Sequence, residues 1–166
     1  FYNDIPNDGN EYIKILGRFD NERLYKWFRR DYINRPINLD RYKIVLPKAN
    51  GSGAIGEVLS TPLIGEPLIG YTETFIAIGA FITEFEAKAC LKYIKGKFSR
   101  AMLGILKITQ DNTKETWRKV PIQDFTPNSD IDWSQSIENI DQQLYKKYNL
   151  SQDEIDFIES KVRAMD

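Results

Sequence analysis

The sequence predicts a mixed α/β (α+β) fold: a small sheet of several strands with packed helices, one long helix near residues 84–106, and a helical C-terminal tail. Three observations carry this. YKIVLP and TETFIAIG are rich in β-branched and aromatic residues, as strands are. Thr83 with Glu86 forms a T-x-x-E capping box ahead of an apolar stripe through Phe85, Ala89, Leu91, Ile94, Phe98, Met102 and Leu106. Ser134 and Ser151, the latter boxed with Glu154, each precede apolar residues at helical spacing.

Taken in order, Asp20 or Asn21 is placed to cap a helix over residues 21–33, where Leu24, Trp27, Phe28 and then Asp31/Tyr32 recur at three and four residues. Arg23, Lys26, Arg29 and Arg30 fall on its other face. NRPIN ends it, YKIVLP is a strand, and the prolines and glycines of STPLIGEPLIG exclude a helix. The long helix follows TETFIAIG, and its lysines, Lys88, Lys92, Lys95 and Lys97, lie largely off the apolar stripe. TWRKVPI is a short strand candidate, DFTPNSDID is turn chemistry, and two helices close the chain. The expected division is a unit over 1–130 with a helical extension over 131–166 packed on it.

Length and composition bound the function. The chain has 166 residues, 42% hydrophobic and 28% charged, enough to bury a core. No apolar run approaches the roughly 20 residues of a membrane span. The polar opening FYNDIPNDGNEY lacks both an initiator Met and a signal-peptide pattern, so a segment of a larger protein is the expectation. The single cysteine, Cys90, lies in the helical pattern EAKACLKYI and reads as a buried thiol in a reducing cytoplasm. The absence of histidine removes the commonest general base and most zinc sites. Charge is segregated: the net is +6 over residues 14–50, +5 over 84–120 and −6 over 121–166, against −1 overall. Two basic blocks suit a polyanion, though solvated helix faces give the same counts.

GSGAIG at 51–56 matches G-x-G-x-x-G, a pyrophosphate-cradling pattern. That chemistry requires a helix directly after the glycines, and EVLSTPLIGEP cannot supply one. A metal-dependent nuclease would use Glu86 and Lys88 as an E-x-K triplet, but these lie in a helical pattern without a suitable strand Asp before them. No catalytic residue and no metal ligand is assigned. Binding chemistry is better represented. PKANGSG sets Lys48, Asn50 and Ser52 among small residues, where backbone N–H groups stay available to phosphate. KITQDNTKETWRK gathers Lys107, Gln110, Asn112, Lys114, Arg118 and Lys119; Asn and Gln pair with adenine, Lys and Arg with phosphate. An ordinary polar connection is the plain alternative.

YKIVLPKANGSG, TETFIAIG, EAKACLKYIKGKFSRAMLGILKITQDN, W-x-x-VPIQDFT and NSDIDWSQSIENIDQQLYKKYNLSQDEIDFIE together resemble the C-terminal part of bacterial adenine-specific DNA methyltransferases of restriction–modification systems. The resemblance covers roughly residues 12–163 and is to the TaqI-like target recognition (specificity) domain. It implies a domain that reads double-stranded DNA for a catalytic methyltransferase domain of the same polypeptide. The parent would use S-adenosylmethionine and, if also an endonuclease, Mg²⁺. Neither the cofactor loop nor the N-P-P-Y tetrad occurs here, so the chain by itself is expected to bind without catalysing. The wording match makes Lys48, Asn50, Gly51, Ser52, Gly53, Thr109, Gln110 and Asn112 the leading DNA contacts, joined by Arg29, Arg30, Lys107, Lys114, Arg118 and Lys119. Thr72, Glu73 and Thr74 match too, with Glu73 equally suited to holding the glycine loop. The rivals are a restriction nuclease domain and a protein-interaction module docking through its acidic tail.

Overall fold

The computed structural model describes residues 1–49, 55–106, 114–118 and 120–165. Two three-stranded sheets stand beside a helical layer. In the first, β1 (Tyr12–Phe19) pairs antiparallel with β2 (Glu22–Arg29) and parallel with β5 (Ile69–Tyr71). In the second, β3 (Tyr42–Pro47) is flanked by β4 (Leu63–Gly65) and β6 (Phe75–Phe81), both antiparallel. The strand expected at YKIVLP is β3 and that at TETFIAIG is β6.

The helix expected over 21–33 is instead β2 followed by a 3-10 turn, Arg30–Tyr32. Asp20 and Asn21 both take left-handed φ, 47° and 66°, which makes them the two central residues of a type I′ hairpin turn rather than a cap. The turn twists with the strands, and YIKILGRF supplies a partner in full register from Tyr12↔Arg29 to Phe19↔Glu22. Pairing along eight residues outweighs a helical spacing that aromatic-rich segments satisfy only locally.

β1 buries residues on both faces. Ile13 and Ile15 pack with Leu39 on one side, while Leu16 meets Val45 and Phe75 on the other, joining the two sheets. Ile44 looks the opposite way along β3, into the main core.

The single helix expected near 84–106 is two helices, α1 (Glu84–Lys95) and α2 (Lys97–Leu106). Thr83 and Glu86 form the expected capping box of α1. The break at Gly96 has a partner in α4 (Ile137–Lys147): Asp141, only 2% exposed, accepts the N–H of Lys97 at 2.8 Å and of Phe98 at 3.0 Å. A Cβ at Gly96 would lie 2.7 Å from Asp141 Oδ1, so glycine is what lets the carboxylate reach the new helix start. Burial pushes the Asp141 carboxyl above the usual range, against the pull of those two bonds.

Among its described residues TWRKVPI forms no strand; α3 (Lys114–Trp117) is a single turn and Pro121–Phe125 is irregular. α4 begins three residues later than Ser134, with Ser136 as its cap, because Ser134 is engaged in a turn with Asp132. Lys92 pins that turn to α1 through the carbonyls of Trp133, Ser134 and Gln135. α5 (Gln152–Lys161) starts at the expected Ser151–Glu154 box. Ile131, Trp133, Ile140, Leu144, Ile158 and Val162 enter the same core as Cys90, Ile94 and Phe98, so the tail is built into the helical layer. Cys90 is buried there, which pushes its thiol up to about 12. Among the described residues no helix is long and apolar enough to cross a membrane.

Candidate nucleic-acid interface

The β1–β2 register sets Tyr12, Lys14, Leu16 and Arg18 on one face with Arg29, Trp27, Tyr25 and Arg23 opposite them. Apart from Leu16, every side chain on this face is basic or aromatic. Lys14 lies over the Trp27 ring at 5.2 Å. At the tip, Arg18 and Arg23 stand directly across from each other, a like-charge pairing that ordinarily costs stability. Burial, with the neighbouring Arg18 charge second, lowers the Arg23 pKa. Arg23 is held by carbonyl oxygens, 2.7 Å to Thr61 and 3.0 Å to Ser60, and sits over the Phe75 ring. Arg18 is exposed and, among the described residues, donates only to the Asn21 carbonyl at 3.3 Å. Neither arginine has a carboxylate partner among the described residues.

The 72–75 turn lies beside this tip. Thr72 N–H donates to the Leu16 carbonyl at 3.0 Å, and Lys48 N–H donates to the Thr74 carbonyl at 2.9 Å. Arg18, Arg23 and the exposed Lys48 therefore flank one short turn, whose Thr72 and Thr74 hydroxyls are 2.7 Å apart. Glu73 is exposed at its apex.

The expected contacts Asn50, Gly51, Ser52 and Gly53, and with them Lys107, Thr109, Gln110, Asn112 and Lys119, lie outside the described residues; the backbone of Lys114 opens α3. Their stems adjoin. A Cβ at Gly104, in the last turn of α2, would come 2.9 Å from Ile55 Cα, so Ile55 packs against the end of α2. Arg118 is exposed, 3.5 Å from Glu115. Arg29 and Arg30 sit at the hairpin's other end. Arg29 forks onto Asp31, whose carboxyl it holds below the usual range, and Arg30 lies 3.7 Å from both Glu11 and Asp40. Their charges are met locally, away from Arg18. Arg18, with Lys14 and Tyr25, is not among the contacts expected from the sequence, because 12–19 carried no predicted element. Its signal was Asp20-Asn21 between two runs of strand-forming residues.

Gly56, the third glycine of GSGAIG, has φ +73°, and a Cβ there would lie 2.7 Å from Val162 Cα and 2.8 Å from the Lys161 carbonyl oxygen. Residues 57–62 behind it are not helical. This glycine serves the docking of the C-terminal segment. Arg100, 2% exposed, binds the same junction, donating to the carbonyls of Lys95, Gly56 and Arg163. Gly56→Ala combines left-handed strain with a backbone clash and is expected to cost about 2 kcal/mol or more. Urea unfolding measures it, and an unchanged midpoint would contradict the contact.

Glu86 accepts from Thr83 in the α1 cap, and Lys88 pairs with Glu84 at 2.9 Å. The E-x-K triplet is thus engaged in helix chemistry. Among the described residues no cluster of three or more His, Cys, Asp or Glu is placed to hold a metal ion. Compared with protein-family models, with curated proteins and with solved structures, the chain gives no match.

Proposed function

We propose that this chain is a DNA target recognition unit, which grips and reads double-stranded DNA for an adenine-N6 methyltransferase domain in the same polypeptide. The observation that carries the reading is the Arg18–Arg23 pair with Lys48 beside it: three cations around one turn, none in an ion pair among the described residues, with Glu73 the one acid in the turn itself. Such a cluster is unfavourable alone and becomes favourable against phosphates, whose condensed counterions it releases. Ile55 and Gly104, which border the two polar segments named above, lie against each other, and side chains of those segments would address base edges. In the parent enzyme the catalytic domain would bind S-adenosylmethionine and receive the adenine swung out of the duplex; Mg²⁺ would enter only with an added nuclease activity. α4 and α5 would brace the unit from the side away from DNA.

The test is fluorescence anisotropy with a labelled duplex at low and physiological salt. Arg18→Ala and Lys48→Ala are each expected to weaken binding several-fold at low salt and to reduce the salt slope by about one. Arg29→Ala, which removes an already paired charge, is expected to leave affinity near the starting value. Equal losses from all three replacements would point to diffuse charge attraction in place of a built face.

A further inference from the structure

The basic and aromatic face of the β1–β2 hairpin extends well beyond the Arg18–Arg23 tip. Leu16, buried against Val45 and Phe75, closes the middle of this face. Past it lie Lys14, Trp27 and Tyr12. Tyr2 joins them along the outer edge of β2, bridged to Trp27 by N–H···O bonds of 2.8 Å in both directions. Its ring meets Tyr12 edge to face at 5.7 Å, which places it on the same side. Tyr2 is 48% exposed and Tyr25 45%, while Lys14 is exposed and Trp27 half-buried. Rings grouped in water on one sheet face mark a surface that meets a partner. Asp8, Glu11 and Asp31, the acids at this end, are engaged by the Tyr12 hydroxyl, Arg30 and Arg29 in turn. Lys14 has no ion pair among the described residues and rests over the Trp27 ring.

Inside a duplex each base face is covered by its neighbours, so a protein ring stacks on a base only where the strand is unpaired. Tyr25 and Trp27 stand two residues apart on one strand, about 7 Å by strand rise. That is twice the step of roughly 3.4 Å between bases of one strand in a duplex. Successive bases therefore reach both rings only when they are unstacked from each other. An ammonium over an exposed ring is held more weakly than a base stacked on it, so Lys14 gives up Trp27 to a base and turns to phosphate. We propose that Tyr25, Trp27 and Tyr2 form a stacking platform for unpaired DNA bases, with Lys14 on the backbone. The bases come from a free single strand or from an unpaired segment of a duplex. The choice of DNA over another ligand with flat rings and negative charge rests on the DNA-reading function proposed above.

The experiment titrates the full chain, by fluorescence anisotropy at low salt, with a labelled oligothymidine, a paired duplex, and that duplex carrying a run of unpaired thymines. Oligothymidine is expected to bind saturably and to shift the indole N–H resonance of Trp27, leaving that of buried Trp133 in place. Tyr25→Thr removes the ring but keeps a β-branched residue in the strand, and should weaken binding at least about fivefold. Tyr25→Phe keeps the ring and should bind as the unsubstituted chain does. Lys14→Ala should weaken binding several-fold and reduce the salt slope by about 0.7. A preference for the duplex with unpaired thymines, lost in Tyr25→Thr, identifies an unpaired segment as the source. Equal affinity for the two duplexes, with oligothymidine bound, identifies a free strand. Full affinity in Tyr25→Thr, or neither oligothymidine binding nor any preference for unpaired thymines, overturns the proposal. If paired-duplex binding nonetheless depends on Arg18 and Lys48, the platform falls and DNA reading stands. Oligothymidine binding that depends on Tyr25, without paired-duplex affinity, does the reverse.

Discussion

Asp141→Ala is expected to lower the unfolding free energy by about 3 kcal/mol, because the two buried N–H groups at the start of α2 lose their acceptor. The carboxylate lies in α4, so its loss also loosens the contact between the helical tail and the α1–α2 elbow. Asp141→Asn should cost less: one oxygen can still accept, but its amide nitrogen then faces the second N–H. Gly96→Ala is expected to be destabilising by about 2 kcal/mol, since its Cβ would press on Oδ1 at 2.7 Å. The two sites share one contact, so Asp141→Ala combined with Gly96→Ala should be less harmful than the separate losses added together. Urea unfolding of the four proteins measures this. Strict additivity would mean that the elbow is set by backbone preference alone and that Asp141 is incidental to it.

That elbow shows what kind of information a single sequence carried. Thr83–Glu86 and Ser151–Glu154 were readable because a capping box is complete within four residues. β3 was readable because YKIVLP is buried along most of its length and bounded by turn chemistry. The α1–α2 break was hidden, since its acceptor comes from a helix far along the chain and Gly96 alone is tolerated within helical patterns. The β1–β2 hairpin was misread for another reason. Leu24, Trp27 and Phe28 satisfy helical spacing, and Asp20-Asn21 can cap a helix or form a type I′ turn. Only the pairing of β2 with YIKILGRF distinguishes the two. The candidate site inherits that limit. Lys48 was visible in PKANGSG, at the end of a strand correctly placed. Arg18 was not, because what makes it notable is Arg23 across the hairpin. Arg29 and Arg30, prominent in a charge count, prove to be met by Asp31, Glu11 and Asp40.

Lys43 leads to a pH effect of comparable size. Burial pulls its pKa down to about 8, with the Asp40 charge opposing. In the unfolded chain a lysine titrates near about 10.4, so between these values the unfolded state holds more protons than the native state. Stability from this group therefore rises with pH from about 8 to about 10.4, by up to about 3 kcal/mol. Below pH 8 the native state carries the full cost of the buried charge. Lys43→Met removes the charge but leaves the Arg41 and Glu66 carbonyls without a donor, two opposing effects of about the same size near neutrality. The decisive quantity is the difference in unfolding free energy between the two proteins, measured at pH 7.5 and at pH 10.5. Buried Tyr93 and Tyr145, whose hydroxyls burial pushes above the usual range, destabilise both proteins as alkali ionises the unfolded chain, and that loss cancels in the difference. The difference is expected to move toward the parent protein by up to about 3 kcal/mol. A difference that stays constant would mean that the two carbonyls solvate the ammonium well enough to keep it protonated, and that its burial costs the fold little.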